Sequence, residues 1–90
     1  MPQAAKHVIY HGRVQGVGFR YTAHRLAQNH AVTGFVKNLR NGTVELLAEG
    51  SPTEIQHLLD DIAAAMPGNI DHADIQPASP TGQYTSFDIT

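Results

Sequence analysis

Nine residues, Gly12-Arg13-Val14-Gln15-Gly16-Val17-Gly18-Phe19-Arg20, separate a strand-like run from a helix-like run. They limit the fold sharply, because the chain must leave a strand, turn across three glycines and enter a helix within a few residues. Glycine opens backbone conformations closed to other residues and lets a ligand approach the main chain. Successive amides in such a turn, joined to a helix N-terminus, form a cradle for an anion. Arg20 closes the loop, and its guanidinium can hold a phosphate by two parallel hydrogen bonds. The expected anion-binding residues are therefore Gln15, Gly16, Val17, Gly18, Phe19 and Arg20, chiefly through backbone amides; the Gln15 side chain could add a contact. Arg13, outside the cradle, is expected at the surface. In the first turn of its helix Arg20 opposes the helix dipole, and a bound anion would compensate it.

Several other loop chemistries are excluded by the same residues. A Walker loop needs Gly-Lys-Ser/Thr, whereas this chain has Phe19-Arg20-Tyr21. The dinucleotide fingerprint needs G-x-G-x-x-G in a parallel unit, and the spacing differs. A phosphocysteine mechanism would need a cysteine at Val14, and the chain has no cysteine at all. Six histidines raise the question of a metal, but His7 and His11 would share a strand face far apart. No H-E-x-x-H motif or paired carboxylate accompanies them, so no metal and no cofactor are expected. His30 is read as a helix-end histidine favoured by the dipole, and Asp60 and Asp61 as solvated.

Hydrophobic periodicity supplies the elements around the loop. Lys6 to Arg13 alternates as a strand, with apolar residues on both faces, so the core-facing side stays open. Phe19 to about His30 reads as a helix through Ala23, Leu26, Ala27 and His30, with Gly34 marking its exit. Phe35 to Arg40 and Thr43 to Glu49 read as two strands, joined by Asn41-Gly42 as a tight hairpin turn. Ser51-Pro52-Thr53-Glu54 gives an N-cap, a first-turn proline and a capping-box glutamate. Ile55, Leu58, Leu59, Ile62, Ala63 and Met66 then form one apolar stripe, stopped by Pro67-Gly68. Ile70 to Ala78 is a weakly patterned fourth strand, residues 77–83 a loop, and Tyr84 to Thr90 a closing strand. The order predicts an α+β fold of the ferredoxin-like βαββαβ plan, an antiparallel sheet with two helices on one face.

Ninety residues predict a single domain over 1–90 with one modest core. The six Lys and Arg all lie at or before Arg40, and the eight Asp and Glu all lie at or after Glu45. Four of the six cations fall in or beside the glycine loop and the Lys37–Arg40 strand end, where a positive field would draw an anionic substrate. No signal-peptide core and no membrane-length apolar run is present, so a cytoplasmic protein without membrane contact is the default. A monomer is the expected state.

Gly12 to Arg20 resembles the signature loop of the acylphosphatases. Gly34-Phe35-Val36-Lys37-Asn38 followed by Asn41-Gly42-Thr43-Val44-Glu45 is similar to that family's second signature. Both motifs occur in the family's order and at about its spacing, and the likeness covers nearly the whole chain. The resemblance implies the ferredoxin-like fold and metal-free hydrolysis of acyl phosphates to carboxylate and inorganic phosphate. It further implies that Arg20 binds the phosphate and that Asn38 orients the attacking water. From chemistry alone Asn38 reads as a strand-end or turn asparagine. The expected partners are a small acyl phosphate and inorganic phosphate or another anion. Two rivals are weighed. An RNA-binding module on the same fold would need aromatics on the central strands, and Thr43 to Glu49 has none; no nucleic-acid partner is expected. A non-catalytic phosphate-binding domain is the other, as in hydrogenase-maturation proteins that carry such a domain at the head of a longer chain; an end at Thr90 favours a stand-alone enzyme.

Overall fold

In a computed structural model, which describes residues 3–90, the chain runs β1 (Ala4–Gly12), α1 (Phe19–Ala27), β2 (Val32–Asn38), β3 (Val44–Gly50), α2 (Pro52–Ala65), β4 (Ile70–Ala78) and β5 (Phe87–Ile89). The sheet order is β4-β1-β3-β2-β5. The first four strands are antiparallel to their neighbours, and β5 joins the β2 edge in parallel. This is the ferredoxin-like α+β arrangement expected from the element order, extended by one edge strand.

Side-chain alternation places the core. Val8 and Tyr10 of β1, Val44, Leu46 and Ala48 of β3, and Val36 of β2 are buried with Phe19, Ala23 and Ala27 of α1. Ile55, Leu58, Leu59 and Ile62 of α2 complete that layer. The ambiguity in β1 is thereby resolved: Val8 and Tyr10 face the helices, while His7, Ile9 and His11 take the other face. Ala63, expected in the α2 stripe, is exposed. Ser51 caps α2 by accepting from the Glu54 amide at 3.2 Å. Glu54 does not close a capping box; its carboxylate accepts from the Ala31 amide instead.

Four expected boundaries move, each for a physical reason. α1 ends at Ala27 because the amides of Gln28, Asn29 and His30 bond three residues back, which tightens the last turn. His30 then sits between the helices, pairing with Asp61 at 2.7 Å and facing Glu54 at 3.4 Å. The dipole reading of His30 gives way to this clamp, whereas Asp61 pairs with it and keeps 46% of its side chain in solvent, in line with the solvated reading. Gly34 is not a helix exit but an interior residue of β2, where a Cβ would lie 1.9 Å from the Leu47 carbonyl oxygen. The β2–β3 turn is longer than a two-residue Asn-Gly hairpin. Leu39 N–H donates to Thr43 and Gly42 N–H donates back to Leu39, with positive φ at Gly42 alone. That is a three-residue loop with a glycine bulge, and it ends β2 at Asn38 rather than Arg40. The closing strand shrinks to Phe87–Ile89, because residues 79–86 carry the chain from the β4 edge to the β5 edge.

Candidate active site

The loop between β1 and α1 is pinned at both ends and open in the middle. Val14 and Phe19 are buried, while Gly16 and Gly18 between them are exposed. Phe19 packs on Tyr10 of β1 with ring centroids 4.8 Å apart, which seats the first turn of α1 on the sheet. Gly16 and Gly18 adopt φ of 73° and 81°, and Gly18 is the helix N-cap with no side-chain cap. A Cβ at either position would meet nothing within 4 Å, so their conformation calls for glycine and the space beside them stays open. Among the described residues, none of the amides from Gly16 to Tyr21 donates to a backbone carbonyl outside the helix's own ladder. The loop therefore offers donors at an unshielded helix N-terminus, as an anion cradle does.

Arg20 is the second residue of α1, whose first turn holds no acidic residue. Every ion pair among the described residues uses a histidine, so Arg20 has no carboxylate partner. Among the described residues its side chain makes one hydrogen bond, a long one of 3.5 Å from Nη1 to the Thr90 carbonyl oxygen. Salt-bridge compensation for a cation at this end of a helix is thus missing. Asn38 is the last residue of β2 and shares the helix-facing side with Val32, Gly34 and Val36, all buried. A polar side chain at a core-facing position needs a partner, yet its Oδ1 is buried and accepts no hydrogen bond. Turn stabilisation falls to Asn41, whose Oδ1 accepts from the Thr43 amide at 3.2 Å.

Arg20 and Asn38 meet at one cavity of about 180 Å³, lined also by Val14, Gly16, Gly18, Phe19, Tyr21 and Ile89. Of the residues expected from the sequence, Gln15 and Val17 are not in its lining. The Gln15 carboxamide is turned to the β2–β3 turn, donating to the Leu39 and Thr43 carbonyls at 2.7 and 2.9 Å. It is a brace in this arrangement rather than a free donor. Arg13 is exposed and tied through its backbone to Asn69. Tyr21 and Ile89 were not singled out by sequence. Tyr21 sits beside Arg20 and could have been suspected; Ile89 carries no local signal, because β5 reaches the site only through pairing with β2.

Comparison with known proteins finds relatives that span nearly the whole chain. The acylphosphatase family model matches residues 6–89. An acylphosphatase of Lactobacillus gasseri is 38% identical over 80 residues, covering 87% of this chain and 88% of that protein. One from Synechococcus sp. is 40% identical over 83 residues, covering 92% and 88%. The crystal structure of acylphosphatase from Bacillus subtilis superposes with a TM-score of 0.89 at 31% identity, covering 97% of this chain and 98% of that one.

Proposed function

Since the chain belongs to the acylphosphatase family, an enzyme family of acyl phosphate hydrolysis, we propose how its own residues carry that reaction. The amides of the Gly16–Phe19 loop and the Arg20 guanidinium hold the phosphoryl oxygens and neutralise their charge. Asn38 orients a water in line with the acyl–oxygen bond to phosphorus. The water oxygen forms a bond to phosphorus as the bond to the acyl oxygen breaks. Carboxylate leaves with the electron pair, and a phosphate oxygen takes the water's proton. The anhydride has a good leaving group, so positioning and charge stabilisation supply most of the acceleration.

The observation that carries this reading is the orphaned Asn38 Oδ1, buried on the same cavity as an arginine without a carboxylate. A buried acceptor left unpaired costs about 1–3 kcal/mol, and a water held at the site offsets that cost. Release of phosphate from benzoyl phosphate in excess chelator tests the reading. No group of three or more His, Asp or Glu among the described residues is arranged to hold a metal, so turnover is expected to persist. Turnover abolished by chelator and restored by a divalent ion would overturn the metal-free scheme.

A further inference from the structure

The cavity has a polar wall and an apolar rim. Arg20, Asn38 and the glycine loop make the first; Tyr21 and Ile89 make the second. Tyr21 is 67% and Ile89 41% exposed, and with Ile75 they are the large hydrophobic side chains most open to solvent among the described residues. Ile75 lies on β4, at the opposite sheet edge from β5. Single exposed apolar side chains are ordinary, but two converging on the rim of one small cavity mark a binding surface. Ile89 shares its strand face with buried Phe87, so it points to the α1 side, and the Thr90 carbonyl contacts Arg20 directly. We propose that Tyr21 and Ile89 form an acyl subsite, so that the enzyme selects acyl phosphates with an apolar chain of several carbons over acetyl phosphate. The inference rests on the phosphoryl reading of the Arg20 wall: with the phosphoryl group held there, the acyl group must leave the cavity across its rim.

Acetyl and hexanoyl phosphate provide the test, because their carboxylate leaving groups are nearly equal in basicity and differ mainly in apolar length. Each fully buried methylene contributes roughly fourfold in binding. A half-covering rim therefore predicts kcat/KM about tenfold higher for hexanoyl phosphate. The double variant Tyr21→Ser, Ile89→Ser is expected to bring that ratio to within about twofold of unity, with folding checked by circular dichroism. Tyr21→Phe is expected to keep the preference. Equal kcat/KM for the two substrates in the unaltered enzyme, or a preference that survives the double variant, overturns the subsite alone. Hydrolysis of neither substrate overturns the phosphatase reading and the subsite with it.

Discussion

Arg20 and Asn38 are each poorly placed for stability and line the same cavity, which makes their substitutions informative. A guanidinium at the second position of a helix without acidic company is disfavoured by the helix dipole. Arg20→Lys keeps the charge and loses the planar fork. Its kcat/KM is expected to fall at least about a hundredfold, as for removal of a preorganised donor, and inorganic phosphate should inhibit less well. Near-normal turnover and phosphate inhibition would remove Arg20 from the site. Asn38→Ala should behave differently. Turnover is expected to drop about a hundredfold or more, roughly 3 kcal/mol of barrier, with phosphate inhibition near wild type. A contact made in the transition state affects the chemical step more than ground-state binding. Because Asn38 Oδ1 is unpaired in the protein, the variant is also expected to unfold at a urea concentration no lower than wild type. A variant whose main defect is phosphate affinity, or whose main loss is stability, would contradict the water-orienting role.

Elements differ in how far their own residues specify them. α2 was legible because its signals are local: Ser51, Pro52 and the stripe from Ile55 to Met66 fix its start, its inward face and its end. The β2–β3 turn was only half legible. Asn41-Gly42 marks a turn, but the pairing of Leu39 with Thr43 decides its length. Gly34 misled because a glycine beyond a helix reads as a stop; its true constraint is the Leu47 carbonyl on a strand distant in sequence. In the site, Arg20 was named from the chemistry of its loop and Asn38 through the family's motif, and no local pattern places them on one cavity. The role of the Gln15 side chain was out of reach, since both its acceptors lie across the fold in the β2–β3 turn. That brace links the glycine loop to Leu39, the residue after Asn38. Gln15→Ala is expected to lower stability by about 1–2 kcal/mol and to reduce both turnover and phosphate affinity, because the two walls of the cavity lose their common tie. Gln15→Glu, which has the shape but no donors, should not rescue it. Urea unfolding beside phosphate inhibition checks this; weakened phosphate binding at full stability would instead make Gln15 a direct ligand.

At the scale of the molecule, one carboxylate holds together a path that periodicity does not reveal. The chain crosses from one sheet edge to the other over residues 79–86, and its contacts with Glu49 and Phe35, which alternate with the core-facing residues of β3 and β2, put it on the side away from the helices. Glu49, at the end of β3, is only 4% exposed and anchors that crossing. Its carboxylate accepts from the Thr81 amide at 3.1 Å, the Thr81 hydroxyl at 2.9 Å and the Gly82 amide at 3.0 Å. Tyr84 then packs near Phe35, with ring centroids 6.0 Å apart, before β5 pairs with β2. β5 brings Ile89 and the Thr90 carbonyl to the cavity, so the anchor at one end of the sheet supports the site at the other. Burial would raise the Glu49 pKa, but the three hydrogen bonds from Thr81 and Gly82 outweigh it and hold the group below the ordinary value of 4.5. In the unfolded chain Glu49 takes up its proton at a higher pH than in the folded chain, so folding stability rises with pH across that interval. The contribution of Glu49 is thus complete above about pH 4.5 and is lost as the pH falls through the lowered folded-state pKa. Glu54 and Asp74, lowered chiefly by the Ala31 amide and by His72 respectively, add to the same acid limb. Glu49→Gln keeps the shape but removes the charge from three donors, which predicts a loss of about 1–3 kcal/mol at pH 7. Below the folded-state pKa of Glu49 the variant and the wild type should converge, because both then carry a neutral side chain at that position. Urea unfolding of both proteins from pH 7 down to pH 3 measures this, and a stability difference that stays constant with pH would show that the Glu49 charge does not hold the crossing.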